Sequence, residues 1–277
     1  MENATAVPVS TKVQLNEQVI AALNGMTLEV HDNGYAEVRS TWHTDHSLCP
    51  FTRVYIVRDG SAWLSDPEQT FRMEKNRVYV IPAGVPCSYG CDTVMHKFYF
   101  HLNVYKPDRC DLLRGCSRIG CIPVEADFVA QMFRYYQGEG YLDAVMLRSQ
   151  LLSLLGQYLQ QNDVLAPIPS SYSDVVAQTI DYIHKHLSAR LRNEELAKRL
   201  FVSRTYLTDR FRKETGVSLG KYIDDQLMFE AQLRLCTTDA SIRTISKDLG
   251  FSDQFYFSRR FKELCGVTPL QYRKNNR

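Results

Sequence analysis

Two short stretches of the chain align side chains suited to reading the edges of nucleic-acid bases. The first presents Arg204, Thr205, Thr208, Asp209 and Arg212, and the second presents Asp253, Gln254, Tyr256, Ser258, Arg259 and Lys262. Glutamine can bond adenine through two atoms and arginine can do the same to guanine, whereas Lys and Arg further along a helix hold phosphates. Phosphate contacts add affinity without sequence preference. Such readout needs these residues on one exposed helical face, and the apolar spacing supplies it. Leu207 and Phe211 lie four apart, as do Phe257 and Phe261, so each pair marks a core side behind a polar face. Ser203 and Ser252 stand where the N-caps of these helices are expected.

The two stretches are copies of one longer pattern. Leu196 to Ser203, Arg210 to Glu214, Gly216-Val217-Ser218 and Tyr222 recur as Ile245 to Ser252, Arg260 to Glu263, Gly266-Val267-Thr268 and Tyr272. Ser203 maps to Ser252 at an offset of 49, while Phe211, Gly216 and Tyr222 map at 50, so one residue is inserted near the start of the second polar helix. Each copy reads as helix, tight turn and helix, the unit that places its second helix in a DNA major groove. Between them Ser218 to Leu235 forms a connector, Ser218 its cap, with Tyr222, Ile223, Leu227, Ala231 and Leu235 at helical spacing. At about 1.5 Å per residue it spans just under 30 Å, close to the roughly 34 Å of one DNA turn. Thr268-Pro269 opens a last helix with a cap followed by proline.

This doubled unit resembles the DNA-binding domain of the AraC/XylS family of transcriptional regulators. The likeness runs over about Tyr172 to Tyr272 and is most specific at Gly250-Phe251-Ser252-Asp253-Gln254-Phe255-Tyr256-Phe257-Ser258-Arg259-Arg260-Phe261-Lys262, with Gly266-Val267-Thr268-Pro269 and Tyr272-Arg273. It implies a regulator, usually an activator, that binds double-stranded promoter DNA, works with RNA polymerase, and carries an N-terminal cupin-like domain that senses a small molecule and dimerises. A sugar or sugar derivative is the first effector the resemblance suggests.

The first half fits such a sensor. From Thr27 to Val104 short β-rich runs such as Arg53 to Val57, Val78 to Ile81 and His96 to Leu102 alternate with turns at Asp32-Asn33-Gly34, Arg58-Asp59-Gly60 and Pro82-Ala83-Gly84. They predict a closed or sandwiched antiparallel sheet, and Val54 to Gly60 with Pro82 to Pro86 resembles the cupin barrel. Where cupin enzymes hold a metal, this alignment puts Arg53 in place of the glutamate and Cys87 in place of the second-motif histidine; His43 and His46 do not reproduce the paired ligands. No catalytic residue, metal or cofactor is therefore expected, and an enzyme is the disfavoured class. Arg39, Trp42, His43, Arg53, Tyr55, His96, Tyr99 and His101 are the candidates to line a ligand pocket, offering ring faces and forked donors. Alternation along a strand puts His96 and Tyr99 on opposite faces, so not all can point inward.

Helices are expected over about Val124 to Tyr136 and Leu142 to Gln161; the apolar stripe of the second is wide enough to serve both the barrel and a partner subunit. The fold class is α+β in two domains. Residues 1–165 form the cupin-like sensing and dimerisation domain, 166–173 a linker rich in Pro, Ser and Tyr, and 174–277 the all-α DNA-binding domain. Charge follows that division: Lys and Arg outnumber Asp and Glu by six from Asp174 onward and are outnumbered by four before it, within a net charge of +2. The polar stretch Met1 to Thr11 reads as no export signal, and no apolar run approaches the roughly 20 residues of a membrane span, so a cytoplasmic protein is expected. Its eight cysteines are then reduced, with Cys110, Cys116 and Cys121 the place to look for a thiol or metal cluster. The competing function is an effector-independent regulator controlled by a protein partner or by oxidation of those cysteines.

Overall fold

The computed structural model describes residues 16–164 and 172–276. The N-terminal stretch Met1 to Thr11, and the expected linker up to residue 171, lie outside the described residues. A helix absent from the sequence reading, α1 (Glu17–Gly25), precedes nine strands: β1 (Thr27–Val38), β2 (His43–Ser47), β3 (Thr52–Gly60), β4 (Ala62–Ser65), β5 (Thr70–Met73), β6 (Arg77–Ile81), β7 (Cys87–Gly90), β8 (Met95–Tyr105) and β9 (Gly120–Pro123). They build two antiparallel sheets, one of order β1-β8-β3-β6-β9 and one of order β2-β7-β4-β5. Helices α2 (Ala126–Tyr136) and α3 (Tyr141–Gln161) follow within two residues of their expected starts.

The five-stranded sheet is the middle layer. Val54, Ile56, Val78, Val80, Phe98, Phe100 and Leu102 face one way and pack with Val129, Met132, Leu151, Leu154 and Leu155 of α2 and α3. Tyr55, Val57, Tyr79, Ile81 and Met95 face the other way and meet Leu64, Met73 and Cys87 of the second sheet. Being covered on both faces makes β3 and β6 read as nearly continuous apolar runs rather than alternating ones. It also sends alternate residues of β8 to different neighbours, so Lys97, Tyr99 and His101 share the inter-sheet side.

The second domain has seven helices among the described residues: α4 (Asp174–Lys185), α5 (Asn193–Arg199), α6 (Arg204–Thr215), α7 (Leu219–Thr237), α8 (Ile242–Asp248), α9 (Gln254–Cys265) and α10 (Pro269–Asn275). The connector α7 buries Leu219, Tyr222, Ile223, Leu227, Met228, Ala231 and Leu235, so both helix-turn-helix units close over one core. Ser203, Ser218, Ser241 and Thr268 each accept a hydrogen bond from a backbone N–H of the helix they open. Ser252 does not cap the second recognition helix. Asp253 does, accepting from Tyr256 N at 2.8 Å, while Ser252 Oγ bonds the Asp253 carboxylate at 3.1 Å. The inserted residue explains the change: Phe201 and Gly250, 49 apart, both occupy the left-handed turn, but the caps Ser203 and Asp253 are 50 apart. The extra residue therefore lies in the turn itself.

That turn distinguishes the copies energetically. Phe201 adopts φ 55° with its ring 97% exposed, whereas Gly250 has φ 77° and a Cβ there would lie 2.1 Å from Ser188 Oγ. A left-handed conformation costs an L-residue about 1–2 kcal/mol, partly offset in glycine by its greater backbone entropy. Phe201→Gly is expected to stabilise the protein by up to about 1 kcal/mol and Gly250→Ala to cost about 2 kcal/mol. Denaturant unfolding of the two variants checks both signs.

Candidate functional site

The two recognition helices present matching surfaces. From Ser203 to Lys213 and from Asp253 to Glu263 the order of buried, half-buried and exposed positions is identical, with Leu207, Phe211, Phe257 and Phe261 fully buried. Behind them Arg204, Thr205, Asp209 and Arg212, and Gln254, Arg259 and Lys262, are exposed; Thr208 and Ser258 are half-buried. Arg204 reaches Glu194 at 3.0 Å, a solvent-exposed pair of little energetic consequence. Asp253 caps its own helix through Oδ1 and accepts from Ser252 through Oδ2. The offset of 50 instead pairs Thr205 with Phe255, a residue missed in the sequence because it sits in an aromatic run resembling core. Its ring is 86% exposed on the polar face, placed for apolar contact such as a thymine methyl offers. Tyr206 and Tyr256 flank the two faces at similar exposure.

A cavity of about 290 Å³ opens between the two sheets. Trp42, Arg53, Tyr55, Tyr99 and His101 line it, so five of the eight ligand candidates are brought together. Arg39 instead pairs with Glu37 in solvent at 2.7 Å, and His43 is exposed on the edge strand β2. His96 falls on the other face of β8, stacked near Tyr35, as strand alternation requires. Arg53 and Cys87, predicted to replace two cupin metal ligands, do meet: Arg53 Nη2 donates to Cys87 Sγ at 3.0 Å and Nη1 to Ser47 Oγ at 2.8 Å. Lys97 went unnoticed, although it shares the alternation of Tyr99 and His101. It lies between the sheets with Nζ 3.4 Å from the Tyr55 ring centre and 3.9 Å from that of Trp42. Burial, followed by the charges of Arg53 and Lys97, lowers the His101 imidazole to about 3, so it stands neutral. Cys110, Cys116 and Cys121 do not cluster: they pack against three different apolar cores, and among the described residues no group of three His, Cys, Asp or Glu converges on one point.

The cavity wall is completed by Cys236, Thr237 and Asn276 from the helical domain. Asn276 Oδ1 accepts from Leu48 N at 2.6 Å and Ser47 Oγ at 3.1 Å. A hydrogen bond with Cys236, helped by Arg53 and Ser47 against the effect of burial, draws the Cys49 thiol down to about 6. Two tyrosines at equivalent repeat positions anchor this seam. Tyr222 Oη donates to Asp108 O at 3.1 Å and Tyr272 Oη donates to Leu48 O at 2.6 Å. Each ring also packs edge-on against the core phenylalanine of its recognition helix, Phe211 at 5.3 Å and Phe261 at 5.4 Å. Tyr172 Oη reaches Asp108 Oδ2 at 3.0 Å, and His184 Nε2 lies 2.9 Å from Tyr222 Oη. Because the Tyr222 proton is directed to Asp108, the histidine Nε2 is the donor in that contact.

A helix-turn-helix domain family matches residues 196–275. The Msm operon regulatory protein of Streptococcus mutans is 26% identical over 231 residues, covering 80% of this chain and 83% of that protein. Regulatory protein SoxS of Salmonella typhimurium is 34% identical over 103 residues, 37% of this chain and 96% of its own length. The arabinose operon regulatory protein of Escherichia coli is 31% identical over 153 residues, 54% of this chain and about half (51%) of that protein.

Removing either seam hydroxyl leaves a carbonyl without its donor, which costs about 1–3 kcal/mol when the carbonyl is buried. Tyr222→Phe and Tyr272→Phe are each expected to lower unfolding stability by about that amount while keeping ring packing. Acid acts on the same seam. Burial lowers the His184 imidazole to about 4, below its ordinary 6.5. The folded state thus binds the proton less readily than the unfolded chain, and this contribution, full above pH 6.5, fades as pH falls towards 4. Unfolding stability of His184→Gln is expected to decline less steeply than that of the parent between pH 6.5 and 4, as denaturant titrations at fixed pH values measure.

Proposed function

The chain belongs to the AraC/XylS family of transcriptional regulators, and on that premise we propose that it activates promoters read by both recognition helices when a small molecule occupies the inter-sheet cavity. Its relatives regulate transcription and are not enzymes, and its helix-turn-helix domain makes double-stranded DNA its partner. The observation that carries the reading is the pair of recognition helices with one exposure pattern on a shared connector. Gln254, Arg259 and Phe255 are the base readers of the second helix, and Arg204, Thr205 and Thr208 those of the first. Arg212 and Lys262, further along their helices, hold phosphates.

Residues 1–165 act in this reading as the sensor and dimerisation domain and 174–277 as the DNA-binding domain. A sugar or sugar derivative is the effector class, supported by a relative named for the arabinose operon. Tyr141, Leu142 and Val145, apolar and exposed at the start of α3, support a homodimer. RNA polymerase is the partner an activator of this build requires. An effector shifts the protein only by its differential affinity for two arrangements. A cavity walled by both domains meets that condition, because a ligand there loses contacts if the seam opens.

Quantitative footprinting on the preferred site and on single-base variants tests the DNA reading. Gln254→Ala is expected to cost about 1–3 kcal/mol and to relax discrimination at one base pair. Lys262→Ala is expected to weaken all sequences alike and to reduce the slope of log affinity against log salt by about one.

A further inference from the structure

A buried cation is stable only where an anion, hydrogen bonds or ring faces replace the water it has lost. The inter-sheet cavity holds two, Arg53 and Lys97, each 3% exposed. Both Nη atoms of Arg53 are engaged, but its buried Nε–H has no hydrogen-bond partner. Lys97 Nζ has the faces of Tyr55 and Trp42, and no hydrogen-bond acceptor reaches it among the described residues. Asp32, the carboxylate on the wall, stands half in solvent beside the neutral His101 at 3.5 Å, and among the described residues it pairs with neither Arg53 nor Lys97. Cys49 offsets part of the Arg53 charge, as its lowered thiol indicates. The larger cavity at the seam, about 340 Å³, differs: its Arg109 is paired with Glu29 at 3.5 Å and its Arg234 with Glu230 at 2.6 Å. Of these two cavities, the inter-sheet one is thus the one whose buried cations lack a paired carboxylate among the described residues.

We propose that this cavity is an anion site, taking a small organic acid whose carboxylate or phosphate group lies against Arg53 Nε and Lys97 Nζ and whose body lies against Trp42, Tyr55 and Tyr99. At roughly 30 Å³ for each water-sized group, 290 Å³ admits about ten, a single ring with its acidic substituent. The inference rests on the effector reading above and narrows it: a neutral sugar answers neither cation, while an acidic one answers both. Burial and the charge of Arg53 hold the Lys97 ammonium well below the ordinary lysine range, and the opposite charge of a bound anion opposes that shift.

The test is thermal unfolding of the full chain with glucose, glucuronate, glucose 6-phosphate, benzyl alcohol and benzoate in turn. At least one acid is expected to raise the midpoint by a few degrees with rising concentration while its neutral counterpart does not. Lys97→Met, which keeps the stem and removes the charge, is expected to lose that shift; Lys97→Gln repeats the test should the methionine variant not fold. A shift by glucuronate alone of the two glucose derivatives assigns a carboxylate, and by glucose 6-phosphate alone a phosphate. Equal shifts from neutral and acidic members, or an acid shift that survives loss of the Lys97 charge, overturn the anion site and leave the effector cavity standing. No shift from any of the five overturns both.

Discussion

A phenol buried in a protein core must find a hydrogen-bond acceptor, and in this molecule two of them find it in the other domain. Tyr222 and Tyr272 occupy the same place in their repeats, pack edge-on against the equivalent phenylalanine of their recognition helices, and donate to carbonyls of Asp108 and Leu48. Each is therefore at once part of the core that fixes a recognition helix and a bolt to the N-terminal domain. The repeat that gives the protein two helix-turn-helix units also gives the N-terminal domain two equivalent grips, one on each unit. Moving either carbonyl moves the ring that supports a recognition helix from behind.

The two grips are not alike in what lies beside them. At Asp108 the surroundings are salt-bridged, with Arg114 at 3.6 Å from Asp225 and Tyr105 edge-on to Phe229, and the neighbouring cavity, lined by Tyr105, Arg109 and His184, has its arginines paired with glutamates. At Leu48 the neighbour is the inter-sheet cavity, whose wall continues through Cys49 to Asn276, the residue that follows α10. The second helix-turn-helix unit is thus the one coupled directly to whatever fills the cavity. The first is coupled through the connector α7, whose last turn contributes Cys236 and Thr237 to the same wall.

What the sequence disclosed, it disclosed through periodicity and caps. Leu207, Phe211, Phe257 and Phe261 announced two helices with a buried side, and Thr268-Pro269 announced α10, because a spacing of four and a capped proline each have essentially one local meaning. Strand alternation foretold that His96 and Tyr99 part company. Lys97 escaped because lysine is almost never fully buried, so only its register with Tyr99 and His101 could have revealed it. Ser252 was mistaken for a cap because Ser and Asp cap equally well, and the site of the inserted residue is decided by turn geometry rather than residue type. The seam contacts of Tyr222, Tyr272 and Asn276 join residues more than a hundred positions apart, and no local pattern carries that information. The short α1, nine residues with none of them buried, offers Val19, Ile20 and Leu23 at helical spacing over too few turns to mark a helix.

Energetic scale decides whether such a seam can serve regulation. Its hydrogen bonds, among them those of Tyr222, Tyr272, Tyr172 and Asn276, each contribute about 0.5–1.5 kcal/mol net, and the exposed Arg114–Asp225 pair adds little. Couplings between an effector and a distant ligand are of the same size, about 1–3 kcal/mol. A seam held mainly by a large apolar interface would be too firm for a small ligand to bias. One held by a handful of polar contacts, next to a cavity that loses part of its wall on opening, lies within reach of a single bound molecule. The same polar character explains why both anchoring groups are tyrosines. Their rings keep the helical core intact whether or not the hydroxyl is engaged, so the helix-turn-helix domain can persist while its tie to the N-terminal domain is made or broken.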